Sequence, residues 1–287
     1  MASDSDQRLR ILVVVAHPHD FTHGAGTCGI HASRGDTVTV VTMTNGSLTH
    51  NERLHDELMK PESERDQEAL NQSGEEYAEK KAAEFREVCS LFGVDDVRVQ
   101  MWPQPFRLEQ HPGAVEKLVE IILDVRPHVL ITQRPYYSGP HGMASMARDD
   151  HNETAIAVTE AAGLAATPDY GRQFRPHTIA ATFYLGVYFM RDEIDFFVDI
   201  GDWYEQRVQA ETLFESQGHT ETFARKRIDS TAGNWGWYAR TGYAEGFVRA
   251  RPDLLSSLFV PESALARAAE PHEQHLNRMS GIVESET

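Results

Sequence analysis

The chain has 287 residues, 40% hydrophobic and 25% charged, which suits a globular protein with one large core or a domain plus an appendage. Its formal net charge of −17 argues against a nucleic-acid partner or an anionic membrane surface, and no apolar run approaches the roughly 20 residues that span a bilayer. Cys28 and Cys89 are too few for a disulfide framework, and the polar, acidic first residues do not read as a secretory signal, so a reducing cytoplasm is expected.

Ile11–Val15 is an unbroken aliphatic run, the pattern of a strand buried on both faces. It delivers His17, His19 and Asp20 at its C-terminal end. Imidazole and carboxylate donors at the edge of an inner parallel strand suit a borderline-soft divalent ion such as zinc. A turn that happens to hold histidines is the alternative. Thr22–Arg34 predicts a helix stopped at Gly35, and the β-branched Thr37–Thr44 a second strand closed by Asn45-Gly46. Strand, helix and strand in some thirty residues make a right-handed βαβ unit.

Residues 48–74 are polar and charged, either a lid-like insertion or a surface excursion. Glu75–Phe92 has a helical apolar stripe of Tyr77, Ala82, Phe85, Cys89 and Phe92. Val97–Met101 reads as a strand, Pro112–Leu123 as a helix and Val129–Thr132 as a strand. A Gly-, Pro- and Tyr-rich loop, Gln133–Met146, leads to a helix over Asp150–Ala162. Thr178–Phe189 reads as a later strand and Asp199–Phe214 as a helix. Residues 8–261 form one domain, and 262–287 a polar C-terminal tail. The alternation predicts an α/β, Rossmann-like, mostly parallel sheet with helices on both faces.

Gly24-Ala-Gly26-Thr-Cys-Gly29 matches the dinucleotide fingerprint in letters only. The first glycine does not turn directly off the strand, and no acidic residue closes the second strand. These glycines are expected instead to let a helix approach the sheet or the site closely. A His-x-His start also fits an amidohydrolase barrel, but the strands are too few for eight. Asp149-Asp150-His151 follows a strand-ending loop, on the same sheet edge as His17 and Asp20. Spacing alone reads the acidic pair as a helix cap. Position makes the cluster a second source of ligands and leaves a coordination position open, as catalytic sites require.

Ala16-His17-Pro18-His19-Asp20 with the following Gly-Ala-Gly-Thr resembles the Ala-His-Pro-Asp-Asp-Glu motif of the PIG-L/LmbE-like zinc-dependent N-deacetylases. The resemblance continues through Arg34-Gly35, Val38–Gly46, Lys81–Glu84, Leu91–Val94, Arg126-Pro127, Asp149–His151, Asp199-Ile200, Ser216-Gln217 and Tyr243–Phe247. It implies a Rossmann-like fold, Zn2+ (or another divalent metal) held by His17, Asp20 and His151, and removal of acetyl groups from small N-acylated substrates such as amino sugars. Three departures fall inside the motif. His19 stands where the family has its aspartate base, Phe21 where it has a glutamate, and Arg148 where it has an oxyanion-assisting histidine.

His19 is therefore the candidate proton acceptor, since an imidazole titrates near neutral pH. Arg148 is the candidate for stabilising the oxyanion, and Asp150 for orienting a histidine. His19 as a fourth ligand, a retuned reaction and a silent metal binder stay open. Lys81, Tyr137 and His141 are the candidate substrate contacts, and the composition is compatible with a homo-oligomer.

Overall fold

β1 (Arg10–Val15) runs into a 3-10 turn, Pro18–Gly24, then α1 (Ala25–Ser33) and β2 (Thr37–Thr44). Next come α2 (Glu52–Met59), α3 (Gln67–Asn71), α4 (Gly74–Leu91), β3 (Asp96–Trp102), α5 (Ala114–Val125), β4 (Val129–Thr132) and α6 (Asp150–Ala166). β5 (Ala181–Leu185), β6 (Phe196–Asp199), α7 (Tyr204–Leu213), α8 (Glu221–Ala239), β7 (Ala244–Arg249), α9 (Glu262–Ala269) and α10 (His272–Met279) complete the order. This computed structural model describes residues 8–136, 148–168 and 174–281.

The strands form one sheet in the order β3-β2-β1-β4-β5-β7-β6. β3, β2, β1, β4 and β5 are parallel, and β7 runs antiparallel to both its neighbours. From β1 the chain moves outward through β2 and β3, then returns to β1's other side with β4. The crevice beyond the carboxyl ends of β1 and β4 is thus a topological switch point, where open α/β sheets gather ligands.

The aliphatic run of β1 feeds two cores. Ile11, Val13 and Val15 face Phe21, Phe85, Phe92 and Phe214 on one side. Leu12 and Val14 face Leu118, Ile122, Leu130 and Val158 on the other. Each buried aliphatic side chain contributes about 1.5–3 kcal/mol, so this strand is a rigid platform for the turn at its C-terminal end. The glycines after the turn act by close approach. A Cβ on Gly26 would meet Ile200 Cγ2 at 2.8 Å, and one on Gly29 would meet the Trp203 ring at 2.7 Å.

Four expectations change. The helix expected from Thr22 starts at Ala25, because the chain first winds through the 3-10 turn that presents His17 and Asp20. Residues 48–74 are not featureless: Asn51 caps α2, Asp66 caps α3, and Glu57 accepts the Asp66 N–H and pairs with Lys60. The strand expected over Thr178–Phe189 is shorter, because Gly186 lies against the Gly246 backbone and the chain turns there. The helix expected from Asp199 begins at Tyr204, and β6, α8 and β7 add an antiparallel end to the sheet. Residues 262–279 carry two short helices, neither with a buried residue.

Candidate metal centre

The turn after β1 is locked by reciprocal bonds. Asp20 Oδ2 accepts from the His17 N–H at 2.8 Å, and the Asp20 N–H donates to the His17 carbonyl at 3.1 Å. Gly46, at φ +70°, closes β2 beside Pro18, where a Cβ would crowd the proline ring and Lys81 Cδ. On the other side of the switch point Gln133 ends β4. Its Oε1 accepts from Ala16 N at 2.9 Å, and its Nε2 donates to Asp20 Oδ2 at 2.9 Å and to the Tyr188 hydroxyl at 2.7 Å. Asp149 caps α6, accepting from the His151 and Asn152 N–H groups, and so points the His151 ring toward the turn.

His17, Asp20 and His151 converge, each offering a ligand atom within 4.8 Å of the others. The two imidazoles meet edge to face, centroids 4.9 Å apart, and His151 Nε2 is 3.4 Å from Asp20 Oδ1. Each ring also has a carboxylate behind it. His17 Nε2 lies 3.0 Å from Asp150 Oδ2, and His151 Nδ1 lies 3.2 Å from Asp149 Oδ2. This backing fixes ring orientation and tautomer in metal centres. It leaves His17 Nδ1, His151 Nε2 and the Asp20 carboxylate facing the common space.

Two nitrogens and one oxygen fit a divalent cation with a position left open. The charges agree. Burial disfavours a proton on His151, yet Asp20 and Asp149 push its pKa up to about 10; burial likewise opposes charge on His17, and Asp20 and Asp150 outweigh it. Burial would raise the Asp20 pKa, but the two imidazoles hold it well below the carboxylate range. The same anionic field attracts a dication, which competes with those protons.

The other sequence-predicted residues divide. Asp150 lies 3.0 Å from His17 Nε2, and accepts from Phe106 N and Arg107 Nη1 at 2.9 Å each. His19 is not one of the three converging side chains; it is buried, its Nε2 2.9 Å from Glu211 Oε2 on α7 and its ring against Phe214. Burial pulls its pKa below that of a free imidazole, against the opposing charge of Glu211. Phe21, where the family has its glutamate, is part of the core.

Arg148 does not face the trio. Its guanidinium is taken by Glu109 and by Glu153, the latter 1% exposed, so two carboxylates absorb the charge expected for an oxyanion. Lys81 lies beneath the 48–74 segment, its Nζ donating to the Thr49 carbonyl. Tyr137 and His141 fall outside the described residues.

Sequence reasoning missed the backing role of Asp149, the bridge made by Gln133, and Glu211. Asp149 was legible as a cap or as part of a ligand cluster, not as the carboxylate behind His151. Glu211 contacts a residue 192 positions away, and no local spacing encodes that.

Residues 12–162 match the family model described as PIG-L, GlcNAc-PI de-N-acetylase. This chain belongs to the PIG-L family. The curated relatives include a 1D-myo-inositol 2-acetamido-2-deoxy-alpha-D-glucopyranoside deacetylase from Streptomyces griseus, 34% identical over 193 residues, 61% of this chain and 54% of that protein. One of the same description from Thermomonospora curvata is 29% identical over 187 residues, 58% and 57% of the two chains. The chain thus spans about half the length of the curated relatives it matches.

Solved structures share the PIG-L fold at low identity. GalB, the 4-carboxy-2-hydroxymuconate hydratase from Pseudomonas putida, superposes with TM-score 0.67 at 18% identity over 87% of this chain and 99% of its own. The N,N'-diacetylchitobiose deacetylase from Pyrococcus horikoshii gives 0.63 at 20%, over 84% of each chain. Among the described residues no helix is long and apolar enough to cross a membrane.

Proposed function

We propose that this PIG-L chain is a zinc-dependent amide hydrolase that removes the acetyl group from an N-acetylated amino sugar or a similar small molecule, giving acetate and a free amine. The observation that carries the reading is the convergence of His17, Asp20 and His151, with Asp150 and Asp149 behind the two rings. The relatives from Streptomyces griseus and Thermomonospora curvata are named as deacetylases of such a compound, which supports the substrate class.

His17, Asp20 and His151 would hold a zinc ion, which would supply Lewis acidity at the amide carbonyl and make water acidic enough to attack near neutral pH. The chain's own groups do the rest. Glu211 accepts a hydrogen bond from the Nε2–H of His19, so the basic nitrogen of that ring is Nδ1, and His19 accepts the proton of the attacking water there. Gln133 and Tyr188 hold the Asp20 carboxylate in place. Arg148, neutralised by Glu109 and Glu153, acts in this reading as a clamp on the chain entering α6. Lys81 reaches the substrate side through the Thr49 carbonyl it holds.

Amine release from a panel of N-acetyl amino sugars by protein loaded with one equivalent of zinc tests the proposal, with His19→Ala and His19→Asp alongside. Turnover by wild type, lost in His19→Ala, is expected. A wild type carrying that one equivalent that releases no amine, with no gain in His19→Asp, rejects the hydrolase. A second reading, addition of water to a carbon–carbon double bond, is favoured by His19 and Phe21 replacing both family carboxylates, and by the hydratase among the chains of this fold. Assay of unsaturated carboxylic acids by loss of ultraviolet absorbance separates the two.

A further inference from the structure

We propose that His19, Glu211 and His219 form a second divalent-cation site, separate from the trio of His17, Asp20 and His151. The three side chains each offer a ligand atom within 4.8 Å of the others. They come from three different places: the turn after β1, α7, and the loop before α8. Glu211 Oε2 is 2.9 Å from His19 Nε2 and 3.3 Å from His219 Nδ1. A tetrahedral ion with bonds of about 2.0–2.1 Å sets neighbouring donors about 3.3 Å apart, so little movement is needed to admit one.

The donor chemistry points the same way. Two imidazoles and one carboxylate are the donor set of several catalytic and oxygen-handling metal centres, and they suit zinc or ferrous iron better than calcium or magnesium. Glu211 is 1% exposed and held ionised, because the charges of His19 and Arg227 and a bond from His19 outweigh its burial. His219 Nδ1 is buried and aimed at the same oxygen without completing a hydrogen bond to it. A nitrogen lone pair directed into a buried anionic pocket is what a cation requires.

Arg227 Nε, 3.4 Å from Glu211 Oε2, is the competing cation. Its side chain is 31% exposed, so it has an outlet to solvent when an ion takes its place.

Occupation has a consequence that rests on the reading of His19 as proton acceptor. A neutral imidazole has one lone pair. If Nε2 ligates a cation, the ring proton moves to Nδ1, and His19 can no longer take a proton from water. Filling this site therefore arrests hydrolysis while the trio keeps its ion.

The test is metal content per chain by elemental analysis, after stripping, reloading with zinc or ferrous iron, and desalting. Two equivalents are expected for wild type, and one each for His219→Ala and His151→Ala, with circular dichroism confirming folding. A wild type that carries a single equivalent, lost in His151→Ala, overturns the proposal without reference to any other variant. Zinc in excess of one equivalent is expected to inhibit wild type and to spare His219→Ala. Two equivalents without inhibition leave the second site standing and instead reject His19 as the proton acceptor.

Discussion

Lys81 carries a cation where the fold has no water for it. Its side chain is 1% exposed, with Nζ 5.0 Å from the Tyr77 ring centre and bonded to the Thr49 carbonyl. Burial pulls its pKa from 10.5 down to about 8, against the partly compensating charges of Glu84, Asp20 and Glu52. A folded pKa below the unfolded one means that the unfolded chain binds the proton more tightly. Stability therefore rises with pH between about 8 and 10.5, and below 8 the buried charge is a standing penalty. At about 1.36 kcal/mol per unit that penalty is ~3 kcal/mol at pH 7.

Lys81→Met keeps the volume and removes the charge, while losing a hydrogen bond to Thr49 that contributes about 1 kcal/mol. The variant is expected to be more stable than wild type by ~2 kcal/mol at pH 7 and about level with it at pH 10. Urea unfolding of both proteins at the two pH values measures this. An equal loss of stability in Lys81→Met at both pH values would mean that the amine is not a buried charge, and the reasoning fails.

Other perturbations have equally definite outcomes. Asp150→Asn removes the carboxylate behind His17 Nε2 and is expected to weaken zinc binding about 10- to 100-fold in chelator competition, with the fold intact. Gly29→Ala drives a methyl to 2.7 Å from the Trp203 ring, so a loss of about 1–3 kcal/mol is expected in thermal unfolding. Glu245, buried, accepts from the Gly26 and Thr27 N–H groups at the start of α1 and sits 3.7 Å from Arg207 Nη1. Glu245→Ala strands that buried guanidinium and is expected to cost about 3–5 kcal/mol, measured by denaturant unfolding.

Local signals made the parallel half of the molecule legible. Ile11–Val15 had no polar alternation because both its faces are covered, and the strand–helix–strand spacing set the connection to β2. His17, Asp20 and His151 were legible because each follows a strand ending on one sheet edge, and the resemblance to PIG-L proteins named them. The antiparallel end was not, because β6 is four residues long and α8 carries its apolar residues without a marked stripe. Arg148 was misread for a different reason. Its charge was visible in the sequence, but of the two carboxylates that consume it only Glu153, five residues on, is local; Glu109 comes from the 3-10 turn at 108–110, far away in the chain. The glycines of residues 24–29 were read as letting a helix approach the sheet or the site; the close partners of Gly26 and Gly29 are instead Ile200 and Trp203, between β6 and α7, which could be found only in three dimensions.

The pairing of His17 with Asp150 joins positions 133 apart, on loops that follow β1 and β4. At the proposed metal site no segment made before β4 could trap the ion by itself, so during synthesis the nascent protein would stay metal-free until more than half of it had emerged. Once trapped, the ion would act as a cross-link between the two arms of the sheet. Chelators should then lower the melting temperature as well as extinguish turnover, and a protease cut between β4 and α6 should release the metal.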